Sequence, residues 1–372
     1  MWREKGRRWS LVAVVAGVLV ALPAIGSALP VPAVGVEPER LRDMIVRSVE
    51  RPYQGYAETT GMLSVPDLPN LEQVTSLING TTRVRSWYDG PSRWRFDVLT
   101  AGAERDVYRT PDGEYIWDFG ANLVTEVIGA QPVRLPRAGD LLPPDLARWV
   151  LRAAPEDRVE ALRSRRVAGI AAAGLRLRPA DPDTSIGRVD IWADPQTGLP
   201  VRVEATARGA GQPFLVTEFL ELSLTRPAAE TVTPPLPPDS GYNVTVAPDI
   251  VNALGAAAPA SLPDTLAGRP LRADDLGGLP GVGQYGGGLS SFVVLPLPRN
   301  VGGSATDAAR KGGGRELTLP GGTGMLLTVP PLTVIIERSN VARRSYLIAG
   351  LISPAVLERA AAELSLVPRS RS

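Results

Sequence analysis

The sequence contains neither cysteine nor histidine. Without cysteine the chain can form no disulfide, so its folded state depends on its hydrophobic core. Zinc sites built from histidine or cysteine are excluded, and so are catalytic centres of the Ser-His-Asp and Cys-His kinds. We therefore expect a binding protein with no catalytic residues, no metal site and no cofactor.

An excess of charge of either sign is also missing. The chain has 40 basic and 39 acidic residues, which gives a formal net charge of +1. Nucleic-acid-binding proteins concentrate basic residues on one surface, whereas arginines and acidic residues are interleaved here along most segments. The sequence thus predicts no nucleic-acid partner. Its 372 residues, 44% of them hydrophobic, are enough for two domains with ordinary cores.

The N-terminus carries a long uncharged apolar stretch. Residues 1–8 include four basic residues, and residues 11–22 are apolar. Gly26 and Ala28 are small residues at the −3 and −1 positions of a possible cleavage site, which completes the pattern of a secretory signal peptide. The apolar part, at about 20 residues, is also long enough to span a bilayer. We therefore predict a signal peptide or membrane anchor at residues 1–29, and an extracytoplasmic location, secreted or anchored, for the remainder.

The next part of the chain combines two helical patterns with many strand patterns. Helices are predicted at residues 38–50, where apolar residues share one face, and at residues 143–154, which prolines open. Elsewhere the apolar pattern has a period of two, interrupted by turns at 111–113 and 194–198. Consecutive hairpins without helical crossovers predict a mainly β (α+β) fold, with one large antiparallel sheet covered by helices.

The C-terminal third is predicted to form a separate unit. Residues 227–288 are rich in proline, alanine and glycine and are predicted as a linker with one short ordered stretch, residues 242–247. Residues 289–365 are predicted as a smaller α+β domain that ends in a helix at 354–364. Glycines flank residues 304–311, which are predicted as a loop. The predicted strands of this domain are 292–297, 328–338 and 345–351.

Two motifs have weak functional interpretations. GVGQYG at 281–286 matches a dinucleotide-binding glycine pattern, but such a site needs a strand before it and a helix after it, and a glycine-rich linker surrounds this one. Paired carboxylates can hydrolyse glycosides, and Asp181 with Asp183, or Asp190 with Asp194, supply such pairs. Their proline- and glycine-rich settings favour structural roles in turns.

Aromatic residues are few, 20 in 372, yet eight of them fall between residues 87 and 119. Alternation within each predicted strand predicts that these residues share one inward face. Two interpretations of that face stay open, a close-packed core or the lining of an apolar cavity that accepts an acyl chain. The residues predicted to bind a ligand on this face are Trp94, Phe96, Val98, Tyr115, Trp117 and Phe119.

Four segments together resemble the lipoprotein-carrier superfamily, which includes LolA, LolB and the RseB/MucB regulators. They are YDGPSRWRFDVL (88–99), YIWDFGANLVTEV (115–127), VAGIAAAGLRLRP (167–179) and VDIWADPQTGLPVRVE (189–204). The most specific element is the last hairpin, which contains Trp192, Asp194, Pro195, Thr197, Gly198 and Pro200. The resemblance covers residues 38–225 and implies a half-barrel: a strongly curved sheet with helices in its mouth and an apolar cavity between them.

The predicted second domain favours the RseB/MucB branch, and residues 345–364 resemble the C-terminal unit of its actinobacterial members. The resemblance implies a sensor of lipid or lipoprotein acyl chains that contacts the extracytoplasmic part of an anti-sigma factor in sigma-E-type regulation of envelope stress. One alternative is a tethered or secreted acyl-chain or lipoprotein carrier with no regulatory partner. A carboxylate-based hydrolase is the third, and the turn-like settings of the acidic residues disfavour it.

Overall fold

The computed structural model describes residues 35–65, 72–100, 103–129, 136–235, 237–246, 262–272 and 282–368. The predicted signal peptide or anchor at residues 1–29 lies outside them. Among the described residues, no helix has the length and apolarity needed to cross a membrane.

The described residues between 35 and 246 form one large sheet and the helices that pack on it. The helices are α1 (Pro38–Arg47), α2 (Glu72–Asn79) and α3 (Pro143–Ala153), with short 3-10 turns η1 (Ser48–Glu50), η2 (Ala138–Leu141) and η3 (Ala229–Val232). The strands are β1 (Tyr53–Gly61), β2 (Thr81–Gly90), β3 (Arg93–Thr100), β4 (Ala103–Thr110), β5 (Gly113–Asp118), β6 (Leu123–Ile128), β7 (Arg158–Val167), β8 (Ile170–Arg178), β9 (Ile186–Ala193), β10 (Pro200–Ala207), β11 (Leu215–Ser223) and β12 (Gly241–Val246).

These twelve strands form a single sheet in the order β12-β6-β5-β4-β3-β2-β1-β11-β10-β9-β8-β7. All neighbours are antiparallel except β12 and β6, which are parallel. Two runs of consecutive hairpins, β1 to β6 and β7 to β11, therefore meet where β1 pairs with β11. The sheet is large, open and curved, so the predicted mainly β half-barrel with covering helices is confirmed.

Turn chemistry explains the hairpin between β9 and β10. Asp194 accepts hydrogen bonds from the backbone nitrogen and the hydroxyl of Thr197, at 2.9 and 2.6 Å. Gly198 has φ +74°, and a Cβ there would lie 2.6 Å from the backbone of Met44 in α1. Only glycine combines this dihedral with so close an approach, so the turn also sets the position of α1 against the sheet.

Helices α1 and α3 cover the concave side of the sheet, which we call the inner face. Leu41 and Ile45 of α1, and Leu151 of α3, are almost fully buried against strands β7 to β11. Prolines at the start of both helices suit their first turns. A second cluster on the inner face, centred on Tyr53 and Phe219, continues the core beneath β1 to β3.

A short segment crosses the opposite side of the sheet, which we call the outer face. After β11 the chain runs through residues 226–235, here called the strap, whose turn η3 contacts β2, β3 and β4. Val232 of the strap is buried, and Arg226 forms an ion pair with Asp89. The chain then reaches the free edge of β6 and adds β12. The predicted linker at 227–288 therefore contains ordered elements, whereas the placement of the domain boundary stays a prediction.

The C-terminal part forms a second sheet, in the order β15-β16-β20-β19-β18-β17. Helices α4 and α5 pack on its two faces. Its elements, with a small hairpin that precedes them, are β13 (Thr265–Leu266), β14 (Arg269–Pro270), β15 (Gly283–Tyr285), η4 (Gly288–Ser290), β16 (Phe292–Leu297), α4 (Arg299–Lys311), β17 (Arg315–Leu319), β18 (Gly322–Val329), β19 (Leu332–Ser339), β20 (Arg344–Gly350) and α5 (Pro354–Ser365).

One expectation for this part was wrong, and a second was correct only in part. The segment 304–311, predicted as a loop, belongs to α4. Gly302 lies in that helix where a Cβ would come within 2.5 Å of the Ser345 hydroxyl, so glycine permits close helix–sheet packing here. The strand predicted at 328–338 is divided by a turn at Pro330 and Pro331 into the last two residues of β18 and all but the last residue of β19, because proline cannot continue a central strand.

The two sheets meet at the loop that precedes β9. The backbone nitrogen of Ser185 donates to Leu351 at 3.1 Å, and that of Ser353 donates to Asp183 at 2.8 Å. Arg269 adds ion pairs to Asp181 and Asp183 at 3.1 and 2.9 Å. Leu289 and Leu351 also pack into the core of the first sheet, so the junction combines apolar contacts with specific hydrogen bonds. The ion pairs agree with the structural role predicted for both aspartates.

Candidate functional site: the aromatic strands β3 to β5

The inner face of β3 carries three of the six predicted ligand-binding residues. Trp94 and Phe96 stack with their ring centroids 4.3 Å apart, and Val98 follows on the same face. Phe96 is 7% exposed because Gly139 of η2 packs on its ring. Trp94 and Val98 are half-buried, so the middle of this apolar row is packed and both of its ends remain partly accessible.

The other three predicted residues lie on the outer face. Trp117 pairs with Asp106 and Tyr115 pairs with Tyr108, while Asp106 in turn pairs with Asp97. Directly opposed residues share a sheet face, so Tyr115 and Trp117 point away from Trp94 and Phe96. Phe119 follows the end of β5 and is 74% exposed. The expectation of one shared inward face was therefore wrong.

The outer face has its own core around Arg95. Its guanidinium lies 4.9 Å from the ring centroid of Trp87 and 5.2 Å from that of Tyr108. It also donates to both oxygens of Asp97, at 2.6 and 2.8 Å, and to Oδ2 of Asp106 at 2.8 Å. Two aromatic faces and two carboxylates thus hold one guanidinium beside the strap.

Burial changes the acid–base properties of these carboxylates. Burial raises the pKa of Asp97, although its bonds to Arg95 oppose the change. Burial, followed by the negative charge of Asp97, raises the pKa of Asp106 to about 7. Two carboxylates that face each other in a poorly solvated place cannot both ionise freely. The single positive charge of Arg95 is therefore too little to balance both of them at neutral pH.

A cleft of about 340 Å³ opens beside this pair, between the outer face and the strap. It combines aromatic rings with acidic groups, so it suits a positively charged ligand better than an acyl chain. The residues that line it are Arg95, Glu104, Asp106, Tyr108, Trp117, Phe119, Glu230, Thr233 and Pro235.

Comparison with known proteins gives matches among solved structures. No family model matches the sequence, and no curated protein matches it. A chain in the structure of the Pseudomonas aeruginosa MucA/MucB complex is 18% identical and covers 90% of this chain and 100% of its own length, with a TM-score of 0.50. The chain has a MucB-like fold.

Two further solved structures are also similar to this chain. A crystal structure of MucB in complex with MucA(peri) is 19% identical, covers 90% of this chain and 100% of its own, and has a TM-score of 0.49. A LolA superfamily protein from Nitrosomonas europaea is 12% identical, covers 54% of this chain and 99% of its own, and has a TM-score of 0.23. At these identities the likeness concerns the MucB-like fold and transfers no residue's role.

Sequence reasoning missed the outer-face cluster of this MucB-like fold. Asp97, Glu104 and Asp106 come from two strands, and Glu230 comes from the strap more than 120 residues later. One signal was present: Arg95 and Asp97 alternate with the aromatic residues of β3 and so had to share the other face. The sequence predicts a solvated face there, because nothing in it indicates that the strap covers these residues.

Proposed function

We propose that the protein is an extracytoplasmic regulator that binds the exported part of a membrane anti-sigma factor. The observation that carries this proposal is the match to a chain of the MucA/MucB complex, which spans 90% of this chain and so includes both sheets. The predicted export signal at residues 1–29 supports a location where such a partner domain is accessible. Both sheets, joined through the loop before β9, would then form one continuous surface for that partner domain.

The same proposal assigns lipid or lipoprotein acyl chains to the inner face as the signal. Trp94 and Val98 are half-buried there, and Val107 and Ile116 on the next two strands are half-buried as well. These side chains share one face because Phe96 pairs with Val107 and Val107 pairs with Ile116. Each buried methylene of a bound chain would contribute about 0.8 kcal/mol, so a partly open apolar row of this kind suits an acyl chain.

Neighbouring residues on β3 provide a matched test of acyl-chain binding. Val98 lies on the inner face and Leu99 on the outer face, and both are half-buried. Val98→Trp should weaken the binding of a fluorescent fatty-acid probe, whereas Leu99→Trp should leave it unchanged. Equal effects of the two variants, or no binding of the probe by the unaltered protein, would remove the acyl chain from the proposal.

The regulatory part of the proposed function can be tested in the organism that encodes the protein. Deletion of the gene should change transcription from the promoters of one extracytoplasmic-function sigma factor, measured by RNA sequencing, and the intact gene supplied on a plasmid should restore it. A carrier with no regulatory partner would bind the fatty-acid probe and leave those promoters unchanged. Unchanged promoters would therefore favour the carrier and contradict the regulator.

A further inference from the structure

Three carboxylates of the outer face come together beside the strap. One oxygen each from Asp97, Glu104 and Asp106 lies within 4.8 Å of the others. The register explains the cluster: Asp97 pairs with Asp106 across β3 and β4, and Glu104 precedes Asp106 by two residues on the same face. Since the strap covers this part of the sheet, the cluster is not an ordinary solvated group of acids.

The hydrogen bonds within the cluster leave one buried acceptor unused. Both oxygens of Asp97 accept from Arg95, and so does Oδ2 of Asp106. The remaining oxygen of Asp106, Oδ1, is buried and has no hydrogen-bond partner among the described residues, and the residue as a whole is 5% exposed. A buried charged acceptor without a partner is costly, so this atom indicates a missing ligand.

The charge and geometry identify the class of that ligand. With all three carboxylates ionised, the form in which they would bind a cation, they and the guanidinium of Arg95 carry a net charge of −2 before Glu230, which lines the same cleft, is counted. Calcium binds oxygen ligands at roughly 2.3–2.6 Å in irregular arrangements, so oxygens on opposite sides of the ion are at most about 5 Å apart. The spacing of the three carboxylates fits this limit, and their net charge fits a divalent ion.

We propose that Asp97, Glu104 and Asp106 bind one divalent metal cation of the oxygen-preferring class, with calcium preferred over magnesium. Oδ1 of Asp106 is the buried ligand, because Arg95 occupies Oδ2. Glu230 extends from the strap into the same cleft, so the ion would also tie the strap to the sheet. The site lies on the face opposite the inner apolar row and is independent of the function proposed above. It also departs from the sequence-based expectation of no metal.

Terbium, which replaces calcium at oxygen sites, provides a direct probe. Trp117 pairs with Asp106 across β4 and β5, so its indole lies close enough to sensitise terbium emission. Titration of the purified chain with terbium chloride should give saturable emission at one equivalent, and calcium chloride should reverse it at lower concentration than magnesium chloride. Trp117→Phe should reduce the emission while leaving the affinity for calcium, measured by calorimetry, unchanged.

Substitutions separate this site from adventitious binding. Asp106→Asn and Glu104→Gln should each lower the affinity for calcium at least tenfold, whereas Asp112→Asn, an exposed carboxylate in the turn between β4 and β5, should leave it unchanged. Glu104 is exposed, so its variant tests the proposal even if Asp106→Asn fails to fold by circular dichroism. Absence of saturable binding, or equal affinity in Glu104→Gln and the unaltered protein, would overturn the proposal.

Discussion

Phe96 and Trp117 lie on opposite faces of one sheet, because the strand register places Phe96 beside Val107 and Trp117 beside Asp106. The inner side of β3 is therefore part of the hydrophobic core, while the outer side of β5 borders a charged cleft. The aromatic residues that form one cluster in the sequence therefore lie on two different faces of the sheet.

This division predicts unequal costs for removing the two kinds of aromatic side chain. Phe96→Ala should lower the free energy of unfolding by about 3–5 kcal/mol, because it leaves a cavity beneath η2. Phe119→Ala removes a ring that is 74% exposed and should change the free energy of unfolding by less than about 0.5 kcal/mol. Urea denaturation followed by circular dichroism measures both values, and equal losses would contradict the assignment of faces.

Two glycines with similar dihedrals should respond differently to alanine. Gly198 and Gly209 have φ +74° and +78°, but only the first has a neighbour, Met44, within reach of an added Cβ. Gly209→Ala should cost about 1 kcal/mol through backbone strain. Gly198→Ala should cost roughly 1–3 kcal/mol more through the clash with α1. Chemical denaturation of both variants gives the difference, and a difference near zero would mean that α1 adjusts freely.

The junction between the sheets is expected to depend on Arg269. Arg269→Met removes ion pairs to Asp181 and Asp183 and should cost about 1–2 kcal/mol, discounted for their partial exposure. Scanning calorimetry of this variant should show two separate unfolding transitions, one for each sheet. Arg310→Met, which removes an exposed ion pair with Asp307, is the control. It should retain the single unfolding transition of the unaltered protein. Identical profiles for both variants would show that Arg269 does not couple the sheets.

Glu337 is expected to make stability depend on pH. It is completely buried on β19, neither of its oxygens has a hydrogen-bond partner among the described residues, and burial raises its pKa to about 8. The folded protein then binds a proton that the unfolded chain releases near its ordinary pKa. Between these two pKa values, stability must therefore fall as pH rises, by up to roughly 1.4 kcal/mol per pH unit.

The test is the free energy of unfolding measured from pH 5 to pH 8. Glu337→Gln should make the negative slope clearly shallower, since an amide does not titrate in this range, and the slope that remains comes from Asp106, whose pKa burial raises to about 7. Glu316→Gln changes an exposed carboxylate on β17 and should retain the slope. If the slope is the same in all three proteins, Glu337 is ionised or partnered in the folded state.

Local signals in the sequence predicted much of the fold. The hairpin around 194–198 follows from the capping side chain of Asp194 and from Gly198, and α5 follows from its helical apolar pattern. Helices α1 and α3 were likewise predicted within a few residues of their observed ends. In each case the determining contacts lie within a few residues of each other.

Features that depend on distant contacts could not be predicted in the same way. Alternation shows which residues of one strand share a face, but the relative phase of β3 and β5 depends on the register through β4. The strap and the parallel addition of β12 to β6 join parts of the chain more than 100 residues apart. The carboxylate cluster of Asp97, Glu104 and Asp106 became visible only once that register and the strap were known.

The most direct test of the proposed function is a calorimetric titration of the purified chain with the exported domain of the anti-sigma factor encoded nearest its own gene. The account predicts one-to-one binding with a Kd of about 1 μM or tighter, and no binding to the exported domain of an unrelated membrane protein. A folded protein that gives no heat at two temperatures, and does not comigrate with that domain in gel filtration, would contradict the account.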